Sequence, residues 1–210
     1  MADLPKVRIS SRKEPKQARS NELVSAILQA AVQVLVQEGA RRFTTARVAE
    51  KAGVSVGSLY QYFPNKAAIL FRLQSDEWRQ TTGVMTEILG DAATPPLDRL
   101  GRLVRAFILS ECEEAALRVA LADAAPFYRD AKETREAREA GAQVFDAFMQ
   151  DALPEASAET RRLAIDLITT AMSAAGKQFS STPRNTAEID AYAAGLTRMF
   201  CAYLRDLQQN

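Results

Sequence analysis

Residues 44–66, TTARVAEKAGVSVGSLYQYFPNK, carry the punctuation that most restricts how this chain can fold. A threonine, a glycine and a proline divide the stretch into two short helical segments joined by a tight turn. Thr44 has the hydroxyl of an N-cap, which accepts from the free backbone N–H groups of a first helical turn. Val48, Ala49 and Ala52 then fall at i, i+1 and i+4 and make a small apolar face. Gly53 ends that segment where the chain needs positive φ, a conformation glycine adopts without penalty. Val54 is placed to plug the corner, Ser55 to cap the second segment, and Leu59 and Phe63 to face inward. Pro64 stops it, because proline cannot donate the next hydrogen bond and disfavours helix in the residue before it. The pattern predicts a helix-turn-helix whose second helix exposes Val56, Gly57, Ser58, Tyr60, Gln61 and Tyr62.

That exposed set suits a DNA groove. Gly57 and Ser58 are small enough for the backbone to come close to phosphates and base edges. Tyr60 and Tyr62 carry hydroxyls for phosphate oxygens, and Lys66 adds charge where the next helix begins. A solvated helix more usually carries Glu and Lys on such a face. On the two-helix pattern alone, a plain helical corner with two surface tyrosines stays open.

The residues themselves go further. AGVSVGSLYQYFPNK resembles the signature of the TetR family of bacterial transcriptional regulators, the tetracycline-repressor-like proteins. That signature runs A-G-V-S, any residue, G, T or S, a hydrophobic residue, Y, any residue, Y or H, F, and a Lys three residues later. Ala52, Gly53, Val54, Ser55, Gly57, Ser58, Leu59, Tyr60, Tyr62, Phe63 and Lys66 fill every fixed position. Upstream, Thr44, Thr45, Val48 and Ala49 also match, and the resemblance is strong over about residues 20–80. It implies a DNA-binding set of Thr44, Thr45, Arg47, Ser55, Val56, Gly57, Ser58, Tyr60, Gln61, Tyr62 and Lys66.

Charge supports a polyanion-binding head. The formal net charge is only +1, but residues 1–80 hold 13 Lys and Arg against 7 Asp and Glu, and residues 81–210 hold 14 against 19. A basic N-terminal part on a mildly acidic remainder fits that division of labour. Histidine is absent, which removes the commonest general base and the commonest metal ligand. Cys112 and Cys201 each sit in an apolar helical pattern and are expected as buried thiols of a reducing cytoplasm. No apolar run approaches the roughly 20 residues of a bilayer span, and no signal-peptide core is visible, so a cytoplasmic protein with no membrane partner is expected.

Residues 1–18 hold two prolines, no periodic apolar face, and Lys6, Arg8, Arg12, Lys13 and Lys16. They are expected to form a disordered arm, either a solvated tail or one that touches phosphates or the minor groove. Residues 19–38 place Leu23, Ile27, Ala30, Ala31, Val34 and Leu35 at helical spacing, ending at Gly39. With Phe43 this helix would close a three-helix head over residues 19–65. A long helix begins near Asn65 or Lys66, with Ile69, Leu70 and Leu73 toward the head. Phe71, Trp78 and Met85 repeat on another side. Residues 90–96 break it. Further helices are predicted at about 97–110, 115–125, 127–151, from 157 to about 179, and from about 189 to 204, separated by loops at Pro126, Pro154 and residues 180–186. The fold class is all-α, with about nine helices and no strand-like alternation. Residues 66–210 form the second domain.

That second domain lacks a glycine-rich phosphate loop, a cysteine pair at metal spacing and a G-x-S-x-G turn. Glu111, Glu113 and Glu114 read as a solvated face rather than an acid–base pair. No catalytic residue, metal or cofactor is expected. The resemblance implies a homodimer whose heads read two half-sites of an operator and whose bodies hold a small effector that lowers operator affinity. Phe71, Gln74, Trp78, Met85, Phe107, Phe127, Phe145 and Phe148 are cavity candidates and equally candidates for ordinary core. Thr81, Thr82, Ser110, Tyr128 and Gln143 are polar groups available to orient an apolar or aromatic ligand. The helix from 157 carries two apolar stripes, and a helix apolar on two sides has two neighbours to satisfy. Its stripes and the last helix give a dimer set of Leu163, Leu167, Ala171, Met172, Ala175, Phe179, Tyr192, Leu196, Met199, Phe200 and Tyr203. The rival function is a helical binding or scaffolding protein that does not recognise DNA.

Overall fold

A computed structural model describes residues 18–127 and 132–209. Among the described residues the chain forms nine α-helices, a short 3-10 turn and no strand. The arm expected over residues 1–18 lies, apart from Ala18, outside the described residues, as does Tyr128. The described residues gather into two compact units. One runs through Arg79 and takes in Ala116–Ala137; the other holds Gln80–Ala115 and the chain from Arg138 onward.

The first unit contains α1 (Ala18–Arg42), α2 (Thr45–Ala52), α3 (Val56–Tyr62), the first half of α4 (Lys66–Leu89), α6 (Ala115–Ala124) and the 3-10 turn Ala125–Phe127. α1 breaks where the sequence placed its end: Gly39 has φ 75° and ψ 166°, outside helical geometry. Ile27, Ala31 and Leu35 are wholly buried, with Phe43 from the turn that follows. They meet Val48 and Ala49 of α2, Leu59 of α3, Phe63, and Ile69 and Leu70 of α4 in one apolar cluster. Burying each of the larger side chains contributes about 1.5–3 kcal/mol, so this cluster is what holds three short helices together. α6 joins the same cluster through Leu121 and Ala124.

One expectation about α1 is corrected. Between Ser20 and Arg42 it has the length and apolar composition that would allow a membrane span. A search for contiguous apolar runs misses it, because Ser and Gln interrupt the run without adding charge. The residues on its apolar face are core in this structure.

The second unit contains the rest of α4, α5 (Pro96–Glu113), the greater part of α7 (Lys132–Ala152), α8 (Ala158–Phe179) and α9 (Thr186–Gln209). Leu100, Val104 and Ile108 of α5 are wholly buried against Met149, Leu153, Ala164, Ile168 and Leu204. Arg99 is the buried cation of this core. Its Nη1 donates to the Leu89 carbonyl at 2.6 Å, closing the C-terminus of α4, and its Nη2 pairs with Asp151. The guanidinium also lies 5.6 Å from the Phe148 ring centroid. Arg99 is adjacent to Leu100 and four residues before Leu103, so the helical period alone puts it on the buried face. Cys201 is buried, whereas Cys112 is only half-buried, and burial pushes both thiols above their ordinary range. Neither thiol is paired. Glu111 and Glu114 are half-buried rather than fully solvated, and Glu113 is exposed.

α8 approaches α5 closely at Gly176. A Cβ there would sit 2.7 Å from Phe107 Cε1 and 3.0 Å from Glu111 Cγ. Overpacking of this kind costs about 1–3 kcal/mol, against roughly 1 kcal/mol gained when alanine replaces glycine in a helix. Gly176→Ala is therefore expected to lower the urea midpoint without changing the slope of the transition. A raised midpoint would mean that α5 and α8 are farther apart than described here.

Candidate nucleic-acid interface

The helix-turn-helix is built as its punctuation predicts. Thr44 is extended, and its Oγ1 accepts from the Arg47 N–H at 3.3 Å, capping α2. Gly53 is left-handed at φ 66°. The Gly53 N–H donates to the Glu50 carbonyl at 3.1 Å and the Val54 N–H to the Ala49 carbonyl at 3.0 Å. This pair of bonds satisfies the last carbonyls of α2 and turns the chain. Ser55 caps α3: its Oγ accepts from the Ser58 N–H at 3.0 Å and lies 2.8 Å from Ser58 Oγ. Phe63 is extended before Pro64, and Asn65 Oδ1 accepts from the Ala68 N–H at 2.9 Å to start α4.

α3 then has two faces. Leu59 and Tyr62 are buried; Val56, Gly57, Tyr60 and Gln61 are exposed, with Ser58 half-buried. Tyr62 corrects the expected exposed set. It is 6% exposed and belongs to the head core, because position 62 follows Leu59 by three residues on the inward side. Tyr60 stays on the surface, with its hydroxyl 3.1 Å from Thr45 Oγ1, and this contact ties the exposed edge of α3 to the start of α2. Thr44 is exposed, while Thr45 and Arg47 are half-buried.

Two cations of the candidate set have partners that the sequence did not reveal. Arg47 pairs with Glu38, which also lies 3.8 Å from Arg42. Lys66 holds its Nζ 4.4 Å from the centroid of the Phe127 ring. Both partners are distant in sequence, and no local spacing signals them.

The effector candidates do not converge within either unit. Phe71 packs against the head core, and Gln74 and Trp78 are half-buried on the same stretch of α4. Phe127 is 39% exposed and faces Lys66. In the second unit Phe145 and Phe148 are buried core, and Met85 and Phe107 pack against it. Thr81, Thr82 and Ser110 are half-buried, and Gln143 is exposed.

The dimer candidates divide cleanly. Met172, Leu196 and Phe200 are buried in the chain's own core, which corrects their assignment to a surface. Ala175, Phe179, Tyr192 and Tyr203 are half-buried, and the Phe179 and Tyr192 rings stack at 4.0 Å. Leu163 at 55%, Leu167 at 48% and Met199 at 64% are exposed, with Ala171 on the same stripe of α8.

Comparison with known proteins decides the family. Residues 95–207 match the family described as "Tetracyclin repressor-like, C-terminal domain", and residues 27–73 match "Bacterial regulatory proteins, tetR family". The chain belongs to the TetR family. Its members are DNA-binding transcriptional regulators, and the helix-turn-helix lies inside the N-terminal match. A stretch of 68 residues is 35% identical to the fatty acid metabolism regulator protein of Bacillus subtilis, covering 32% of this chain and 35% of that protein's length. Among solved structures, the fatty acid degradation regulator FadR of Bacillus halodurans superposes with a TM-score of 0.69 at 18% identity, covering 89% of this chain and 96% of that one. FadR of Bacillus subtilis in complex with stearoyl-CoA superposes at 0.68 and 18% identity, covering 84% and 97%. These likenesses show the shared TetR fold.

The caps generate a stability prediction separate from function. Ser55→Ala should cost about 1 kcal/mol, since it leaves the first N–H groups of α3 without a side-chain acceptor, and Ser55→Asp should restore most of it. Thermal unfolding of the three proteins checks this; equal midpoints would show that Ser55 does not cap α3.

Proposed function

We propose that this protein is a ligand-responsive repressor that binds duplex operator DNA as a homodimer, and whose operator affinity falls when a small apolar or aromatic effector binds. In this reading residues 19–65 are the DNA-binding domain, residues 66–210 hold the effector and the dimer contact, and residues 1–18 are a basic arm. The protein works in the cytoplasm and carries no catalytic residue or cofactor.

The exposed face of α3 is the observation that carries the reading. Gly57 is the telling residue. A Cβ placed on it would meet only Ser55 Oγ, at 3.7 Å, so nothing within the chain requires glycine there. A small residue at that place favours close approach by something outside the chain, and DNA is what the family reads. Val56 and Gln61 beside it are the side chains available to base edges; Tyr60, Thr44 and Lys66 are available to phosphates.

The exposed stripe of Leu163, Leu167, Ala171 and Met199 supports a second copy packed through α8 and α9 in a four-helix seam. The effector class is supported by the aromatic residues that stay half-buried along α4 and α5, and by the stearoyl-CoA bound to a protein of the same fold. Whatever factor the effector removes from DNA affinity, DNA must remove from effector affinity. A scaffold that ignores DNA would leave the Gly57 face without a purpose.

Gly57→Ala separates binding from folding. It should leave thermal stability unchanged or raise it by up to about 1 kcal/mol, because alanine favours helix. It should weaken binding to a duplex selected by the wild-type protein by at least about tenfold, as lost base-edge contacts do. Unchanged DNA affinity would contradict the assignment of this face. For the dimer, Leu163→Glu with Leu167→Glu should halve the molar mass measured by light scattering while the helical circular dichroism signal persists. A stable dimer of that variant would rule out the α8–α9 seam.

A further inference from the structure

Phe127 stands where neither of its two sequence-based roles would put it. It is not core, and it does not join the other aromatic candidates of the second unit. It is a partly exposed aromatic at the end of α6 whose ring faces a cation, Lys66 Nζ, at 4.4 Å from the centroid. The turn that carries it is firmly attached to the head. Leu121 and Ala124 of α6 are buried in the head core. Arg118 Nη1 pairs with Glu77 of α4 at 2.8 Å, and both side chains are largely buried. Glu77 in turn accepts from Gln74 Nε2 at 2.9 Å.

We propose that Phe127 is a positioning residue for DNA binding: its ring holds the Lys66 ammonium at the start of α4, so that the phosphate contact of Lys66 depends on α6 being seated on the head. The inference rests on the DNA-binding reading above. Lysine is a point charge on a flexible four-carbon stem, and an exposed lysine loses much freedom when it orders on a phosphate. An aromatic face restricts that freedom through the ring quadrupole without consuming the ammonium's hydrogen-bond donors. The ammonium then offers its N–H groups to a phosphate oxygen while it rests on the ring. Because Phe127 follows α6 directly, a shift of α6 against α4 would carry the ring away and release the lysine.

The test uses the full-length protein and a duplex recovered by the wild type from a random-sequence pool, with affinity measured across a range of salt concentrations. Phe127→Ala and Phe127→Leu are compared with Phe127→Tyr, Lys66→Ala and the Phe127→Leu/Lys66→Ala double variant. Phe127→Leu keeps apolar bulk but has no ring face, so it covers the case in which Phe127→Ala fails to fold. The expected result is a loss of roughly three- to tenfold in affinity for Phe127→Leu and a salt slope shallower by about 0.9, the signature of one lost phosphate contact. Lys66→Ala should lose about as much, the double variant no more than Lys66→Ala alone, and Phe127→Tyr should match the wild type. Wild-type affinity and slope in Phe127→Leu, or losses that add in the double variant, would overturn the inference while leaving DNA binding intact. Failure of the wild type to recover any duplex would overturn both.

Discussion

The reversal at Gly53 sets the geometry on which the head depends. A left-handed residue there lets the last two turns of α2 close their carbonyls onto Gly53 and Val54, and it delivers the chain to Ser55 already extended for a cap. α3 is only seven residues long, too short to be stable alone. It exists because Leu59 and Tyr62, with Phe63 just beyond, are drawn into the core made by α1, α2 and α4. Once that inward side is committed, the rotation of the helix is settled, and Val56, Gly57, Tyr60 and Gln61 have nowhere to point but outward.

The second unit follows a different constraint, the close approach of α5 to its neighbours. Gly176 lets α8 come down on Phe107 and Ile108, and Gly101 leaves room for Thr197 of α9. Inside this packing Arg99 replaces lost hydration with the Leu89 carbonyl and Asp151, so a charge is tolerated where a leucine would fit the pattern. One side of α8 and α9 is used up by this core. The other side keeps Leu163, Leu167 and Met199 in water, which is a costly arrangement for an isolated chain and a natural one for half of an interface.

Most of the head was legible in the sequence because its signals are local. Thr44, Gly53, Ser55 and Pro64 act within a few residues of themselves, and the structure uses each as read. The helix ends at Gly39 and Leu89 and the start after Ser157 were readable for the same reason. What escaped was set by rotation or by distant partners. Tyr62 was read as outward because its neighbours are polar, yet a small rotation of a short helix brings it in. On α8 and α9, Met172, Leu196 and Phe200 could not be told from Leu163 and Met199, since both sets are apolar at helical spacing and only the packed chain says which side its own core takes. The pairings of Arg47 with Glu38 and Lys66 with Phe127 join residues 9 and 61 positions apart. The aromatic candidates for an effector cavity failed to separate from core for the same reason as the dimer stripes.

The central claim is that the turn and α3 are the surface this protein offers to DNA, and hydrogen exchange measures that most directly. Amide exchange of the full-length protein, followed by mass spectrometry with and without a selected duplex, should show new protection over residues 44–66, concentrated at the start of α2 and along α3. Slower exchange confined to α8 and α9, with residues 44–66 unchanged at saturating duplex, would contradict the account.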